Sequence, residues 1–296
     1  MQMEYRRAGA AGNVHIGDRD TTNRAHRERL FLARLSGRGT SLGLGSGYAS
    51  LWICLKGEID VESDDGLCTV QARRFHFMPE STAQRGVARS AAEWLVLAVP
   101  QSLLGRIART SGLRGVPEPL LFSSTVKLDR PLLAALVRLA TLGESEAGSQ
   151  DREQLRRSLG DLVHAAVHAQ AGLARWVDRA YGRTEGHRRR VLSRLLKARN
   201  RIVNEPHGRH DIDSLALASR YSKSHFIRLF RDVFGVTPHD LLTIRRLEVA
   251  KSLIAETDLA ISEVAATVGF ESRFAFARLF RKRTGMSATE YRREAA

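Results

Sequence analysis

The chain has 296 residues and carries 47 Lys and Arg against 32 Asp and Glu, a formal net charge of +15. That length has room for two domains, each able to bury a core, and the charge favours a polyanionic partner. Its two cysteines, Cys54 and Cys68, are too few for a disulfide scaffold or a cysteine-built metal site and fit a reduced cytosolic protein. With no secretory signal and no apolar run long enough to span a bilayer, a soluble, cytoplasmic chain without a membrane partner is expected.

Residues 1–29 are polar and Arg-rich with no clear period, and the first dozen are expected to be loose. From Leu30 the texture changes to short strands at Leu30–Leu35, Ser50–Leu55, Glu58–Ser63, Leu67–Gln71, Phe75–Met78 and Glu93–Val99. Asp64-Asp65-Gly66 joins two of them as a hairpin turn. Closely spaced strands of this kind imply a small antiparallel barrel or jelly roll. Gly43, Gly45 and Gly47 fail the spacing of a phosphate loop, because Tyr48 stands where the third Gly belongs, and read as a flexible loop.

After Pro100 the pattern turns helical. Ser102–Thr110 is a short helix, and a Gly/Pro-rich connection runs through Pro119. Asp129 caps a helix reaching Leu142, Glu144–Gln150 is a polar break, and Asp151 caps the next helix. The stripe Leu155, Leu159, Leu162, Val163, Ala166 and Val167 has helical spacing. It either packs back on the barrel or forms a dimer interface. His164 and His168 stand one helical turn apart, a spacing that binds zinc in some proteins, but His-Ala-Ala-Val-His lacks the Glu of a metalloprotease helix. Gly182–Gly186 is the best boundary between domains, and His187–Val203 opens the second half as a helix carrying Arg188, Arg189, Arg190, Arg194 and Lys197.

Residues 212–291 say nearly the same thing twice. Ile212-Asp-Ser-Leu-Ala216, Tyr221, Phe226-Ile-Arg-Leu-Phe-Arg231 and Gly235 are echoed by Ile261-Ser-Glu-Val-Ala265, Phe270, Phe276-Ala-Arg-Leu-Phe-Arg281 and Gly285. In each copy a short helix, a tight turn and a second helix follow from the apolar spacing, with Ser222 and Ser272 as N-caps. Each copy is therefore a helix-turn-helix. Between them Pro238–Thr257 is one helix with Pro in its first turn. It spans roughly 30 Å, close to the ~34 Å between successive major grooves on one face of B-DNA. The charge is concentrated here, with 23 Lys and Arg against 13 Asp and Glu in residues 181–296.

The string Ser222-Lys-Ser-His-Phe-Ile-Arg-Leu-Phe-Arg231, then Gly235-Val-Thr-Pro238 and Arg246-Leu-Glu-Val-Ala-Lys-Ser-Leu-Ile254, resembles the AraC/XylS transcription regulators. So do Ile261-Ser-Glu-Val-Ala265, Gly269-Phe270 and Phe276-Ala-Arg-Leu-Phe-Arg-Lys282. The resemblance covers about the last 100 residues and departs from the family at three places. Arg220 sits in the first turn where the family often has Gly, and a left-handed residue there would carry strain. Ala288 replaces a usual second Pro, and Phe274 stands at a commonly polar position. A looser resemblance links Leu51-Trp-Ile-Cys-Leu-Lys-Gly-Glu-Ile-Asp-Val61 and Phe75-His-Phe-Met-Pro79 to the cupin-like sensor half of the same regulators.

These readings add up to an α+β chain. It has a cupin-like antiparallel β barrel or jelly roll with following helices, then an all-α double helix-turn-helix domain. The expected divisions are a sensor at 1–125, a helical dimerisation region at 126–182 and a DNA-binding domain at 183–296. On the recognition helices, Lys223, Ser224, Ile227, Arg228 and Arg231 lie opposite the apolar face, matched by Arg273, Phe274, Ala277, Arg278 and Lys282. Arg228 and Arg278 suit bidentate pairing with guanine, Ile227 and Phe274 suit thymine methyls, and Lys223, Arg231 and Lys282 suit phosphate.

In the barrel, Trp52, Phe75, Phe77 and Trp94 offer an apolar lining, with His26, Arg27, His76 or Arg85 to orient a polar group of a small-molecule effector. The same aromatics equally suit a solid core. Catalytic cupins bind metal with a His-x-His pair, whereas His76 stands alone on its strand, so neither metal nor cofactor is expected, nor an enzyme. The resemblance implies a transcription activator that binds double-stranded DNA, works with RNA polymerase and forms a homodimer. Two alternatives stay open: a cupin-type metalloenzyme fused to a DNA-binding domain, and a ligand-independent regulator controlled by a protein partner.

Overall fold

The computed structural model describes residues 2–16, 29–63, 66–79, 83–110, 121–144, 152–208 and 211–295. The chain divides into two compact units, Met1–Leu196 and Lys197–Ala296. The first contains β1 (Gln2–Ala8), β2 (Asn13–Ile16), β3 (Arg29–Gly37), β4 (Ser41–Leu44), β5 (Tyr48–Lys56) and β6 (Glu58–Ser63). These are followed by β7 (Gly66–Gln71), β8 (Arg74–Met78), β9 (Gln84–Val87), β10 (Ala92–Pro100) and β11 (Ser124–Lys127). One sheet has the order β1-β3-β10-β5-β8-β11 and the other β2-β4-β9-β6-β7. Most neighbours are antiparallel, but β1 runs parallel to β3 and β2 parallel to β4.

Burial explains the two textures in the sequence. The first sheet is covered on both faces, so β5 and β10 are buried almost without interruption, as strands in a doubly covered sheet must be. The second sheet buries one face, and β2, β4 and β6 alternate. Between the sheets Trp52, Cys54, Trp94 and Val96 pack with Leu42, Val61 and Val70. On the other face of the first sheet, Leu51, Ile53, Phe75, Phe77 and Leu97 meet three helices. These are α1 (Gln101–Thr110), α2 (Arg130–Glu144) and α3 (Arg152–Ala169). The apolar stripe of α3, including Leu155, Leu159 and Leu162, is buried in this second core. Asp129 accepts from the Leu132 amide at 2.9 Å and so caps α2 as expected. A 3-10 turn (Ala171–Leu173), α4 (Ala174–Arg179) and the start of α5 (Glu185–Asn204) complete the unit.

The amino-terminal segment corrects the expectation of a loose start. Gln2–Ala8 is an edge strand in a seven-residue register with β3, anchored because Met3 and Tyr5 alternate onto the helical core. Likewise Ser41–Leu44 is a strand, since Leu42 and Leu44 are buried between the sheets while Gly43 passes the His15 ring. The turn residues Asp64 and Asp65, the connection at 111–120, the polar break at 145–150 and the Asp151 cap lie outside the described residues.

In the second unit α5 ends at Asn204, followed by α6 (Ile212–Ala218), α7 (Lys223–Phe234), α8 (Pro238–Glu256), α9 (Ile261–Thr267), α10 (Arg273–Thr284) and α11 (Ala288–Ala295). Asp211 caps α6 with its carboxylate, and Thr237 caps α8 with Pro238 in the first turn. Both α7 and α10 end on left-handed glycines, Gly235 and Gly285, which satisfy the last carbonyls without a Cβ penalty. No helix among the described residues is long and apolar enough to cross a membrane.

Candidate nucleic-acid interface

Each helix-turn-helix is held from inside by aromatics. Phe226, Leu229, Phe230 and Val233 are the buried face of α7, and Phe276 and Phe280 that of α10. Edge-to-face ring pairs hold each copy, Phe226 on Phe230 at 5.6 Å along α7 and the turn residue Phe270 on Phe276 of α10 at 5.3 Å. Because α-helical side chains repeat every 3.6 residues, fixing that face forces the remaining positions outward. Lys223, Ser224, Arg228 and Arg231 are exposed on α7, with Ile227 half-buried beside them. Arg273, Phe274, Ala277, Arg278 and Lys282 are exposed on α10. The sequence-derived set is therefore brought together as two outward faces.

The two faces differ chemically. On α7 the Lys223 ammonium donates to Asp213 Oδ2 at 2.8 Å, and this bond holds the lysine above its usual value. The carboxylate comes from the first turn of α6, where the second copy has Ser262. On α10 the Arg273 guanidinium lies 4.8 Å from the centre of the Phe274 ring. Phe274 itself is 72% exposed, a large uncovered apolar group beside cationic ones.

One residue that the sequence reading assigned to no role ties the two copies together. Arg246, on α8, donates from Nε to Pro206 O at 2.8 Å and from Nη2 to Gly208 O at 3.1 Å, just before α6 of the first copy. The same guanidinium lies 5.9 Å over the Phe270 ring in the turn of the second copy. Burial pushes its pKa down, and the carbonyls it bonds replace part of the hydration that the charged guanidinium gives up. Gly269 takes a left-handed φ of +87°, and a Cβ added there would sit 3.0 Å from Arg246 Nη2, so the turn disfavours a side chain on both counts.

In the first unit the proposed effector residues do not share one chamber. Trp52 and Trp94 stack at 6.0 Å between the sheets. Trp52 Nε1 donates to Ser50 Oγ at 2.8 Å and to Gln84 Oε1 at 3.0 Å, and Trp94 Nε1 to Thr40 Oγ1 at 3.0 Å. Gly86 lies flat on the Trp52 indole, where an added Cβ would sit 2.3 Å from the ring. Phe75 and Phe77 point to the opposite face, into the helical core. His76 is buried, with Nδ1 2.7 Å from Thr125 Oγ1 and 3.5 Å from Cys68 Sγ. Burial pushes its imidazole down to about 4, so it is neutral near pH 7. Arg85 is exposed, and His26 and Arg27 lie outside the described residues.

A family model described as an AraC-binding-like domain matches residues 10–181, and one described as a helix-turn-helix domain matches residues 215–294. The chain belongs to the AraC/XylS family. It is 39% identical over 80 residues to the probable transcriptional regulator LumQ of Photobacterium leiognathi, covering 27% of this chain and 32% of that protein. It is 33% identical over 107 residues to RclR, an RCS-specific transcriptional activator of Escherichia coli K12, covering 34% and 38%. The DNA-binding domain of the global transcriptional factor AdpA, solved with a target DNA, is 30% identical, with a TM-score of 0.33 and coverage of 34% of this chain and 90% of that one. The matches span about a third of the length of these curated relatives.

Where this AraC/XylS chain departs from its family, the structure gives the local reason or cost. Arg220 takes φ +61° in the first turn, the same left-handed place that Gly269 takes at +87° in the second. Ala288 is buried at the first position of α11. There Ser287 Oγ accepts from the Glu290 amide at 3.2 Å and the Glu290 carboxylate accepts from the Ser287 amide at 2.6 Å. That reciprocal cap starts the helix without proline.

Proposed function

We propose that this AraC/XylS member is a sequence-specific transcription regulator that binds double-stranded DNA with α7 and α10 in successive major grooves. The observation carrying this reading is the pair of outward basic faces, each fixed by buried aromatics and separated by the single helix α8. Arg228 and Arg278 are the guanine readers, Ile227 and Phe274 contact thymine methyls, and Lys223, Arg231 and Lys282 contact phosphate. Ser224, Arg273 and Ala277 complete the two contact surfaces. Residues 183–296 are the DNA-binding domain, 1–125 the sensor and 126–182 the connection through which the chain dimerises. In this reading the protein is a cytoplasmic activator working with RNA polymerase and has no catalytic role.

Control enters through the sensor half, where a ligand must bind two arrangements of the protein with different affinity to shift between them. The Trp52–Trp94 stack and its satisfied indole donors favour a packed interior between the sheets. They support a second reading, in which control comes from a partner or from a site outside that interior. The test of DNA binding is a salt titration of the full chain on duplex DNA. Three phosphate contacts give a slope of log K against log salt of about −2.7, at about −0.9 per contact. A flat titration would remove the DNA reading.

A further inference from the structure

The first unit has a cleft of about 280 Å³ at the meeting of α3, α4 and α5, away from the core between the sheets. Its floor is rigid. Gln170 is buried, accepts from the Phe122 amide at 2.8 Å, and donates to Phe122 O at 2.8 Å and Ser124 Oγ at 2.9 Å. Phe122, Val167 and Val177 give it an apolar wall, while His164, His168 and Arg189 are its titratable lining groups. None of the described lining residues is acidic.

Arg189 is the chemically unusual member. Its side chain is only 12% exposed, its guanidinium lies 4.8 Å from the Phe122 ring centre, and the Glu185 carboxylate stands 3.6 Å away and half exposed. A guanidinium removed from water and set on an aromatic face gains most from a carboxylate arriving in its plane, which accepts two parallel hydrogen bonds. His164 and His168, one helical turn apart and exposed, stand on the same helical face to bond an outer oxygen. The cleft is many times the ~10–15 Å³ that a single water needs, and so has room for a small organic ligand.

We propose that this cleft is a binding site for a small organic carboxylate, with its carboxylate on Arg189 and its apolar body against Phe122, Val167 and Val177. The bound carboxylate displaces Glu185 from Arg189. Because Glu185 and Arg189 both lie in the first turns of α5, the ligand acts on the start of the helix whose sequence runs from the first compact unit into the second. The site accounts for the His164/His168 pair without a metal.

The test is calorimetric titration of the full chain with cyclohexanecarboxylate and 4-methylpentanoate, each against its neutral carboxamide at constant ionic strength. Saturable binding of at least one carboxylate at one site per chain, with the amides weaker by about tenfold or more, is expected. Arg189→Gln should weaken the carboxylate by a similar factor, and the exposed neighbour change Arg190→Gln should not. Ala174→Phe fills the cleft from its exposed rim and should abolish binding while the tryptophan fluorescence transition stays in place, which keeps the test valid if Arg189→Gln misfolds. The proposal is overturned if neither carboxylate saturates, if the amides bind equally, or if binding survives both changes. Because binding is read directly, without DNA, this outcome is independent of the DNA-binding reading.

Discussion

The two copies of the helix-turn-helix contain their own controlled comparison. At the same point of the turn, Arg220 sits at φ +61° and Gly269 at φ +87°. Both turns close alike, Tyr221 N donating to Ala216 O at 3.0 Å and Phe270 N to Ala265 O at 2.9 Å. A left-handed backbone costs an L-residue about 1–2 kcal/mol. Replacing the exposed Arg220 by Gly removes that cost, and the extra freedom of Gly in the unfolded chain returns about 0.5–1 kcal/mol of it. Arg220→Gly should therefore stabilise the second unit by about 0.5–1 kcal/mol. At roughly 4–8 °C per kcal/mol for a unit of this size, the melting midpoint should rise by about 2–8 °C.

Gly269→Ala should do the reverse and more, because it adds the left-handed cost and a Cβ 3.0 Å from Arg246 Nη2 and 3.2 Å from His207 O. All three tryptophans, Trp52, Trp94 and Trp176, belong to the first unit. Circular dichroism at the helical minimum of ~222 nm reports the helices of both units, so the second unit's transition is the part of that signal that does not coincide with the tryptophan signal of the first. An unchanged or lower midpoint for Arg220→Gly, or a higher one for Gly269→Ala, would refute the reasoning.

Other expectations concern contact and pH. Arg228→Ala and Arg278→Ala should each cost about 1–3 kcal/mol in discrimination, and a library randomised across the operator should show them relaxing different base positions; relaxation of the same positions contradicts two-groove docking. Lys223→Ala should weaken all sequences by similar factors, whereas Asp213→Asn frees Lys223 and should tighten all of them; a change confined to particular bases would assign Lys223 to readout instead. His76, at about 4 when folded and about 6.5 unfolded, lets the unfolded chain take a proton that the folded chain refuses. Stability of the first unit should therefore fall as pH drops through 6.5 towards 4, by about 2 kcal/mol at pH 5. His76→Asn should flatten that stretch in tryptophan-monitored denaturation, and an unaltered slope would assign the pH dependence to other groups.

The helices of the second unit were legible because each carries several signals at once. For α8 these are Pro238 in the first turn, Thr237 before it and a long apolar repeat. By contrast α11 has no strong apolar period, although its Ser287-x-x-Glu290 cap was there to be read. Strands β3, β5 and β10 announce themselves as apolar runs because the first sheet is covered on both faces. β1, β2, β4, β9 and β11 do not, being edge strands or segments of four residues whose order comes from their neighbours. The same limit separates the aromatics. Alternation puts Phe75 and Phe77 on one face, but only cross-strand register shows that Trp52 and Trp94 occupy the other. The outward basic faces followed from helical spacing alone. The Lys223–Asp213 pair and the Arg246 bonds join residues 10 to 40 positions apart, and no local pattern foretells them.

Arg246 also bears on how a binding site for such a protein can diverge. Adding or removing one residue in α8 would turn everything beyond it by about 100° and shift it by about 1.5 Å. It would also carry Arg246 out of reach of either the Pro206 and Gly208 carbonyls or the Phe270 ring. The spacing and phase of the two outward faces are therefore set as a fixed caliper by this helix and Arg246. Under the DNA-binding proposal, new target preference would come from exchanging outward side chains such as Arg228, Phe274 or Arg278, with the jaws kept at one setting.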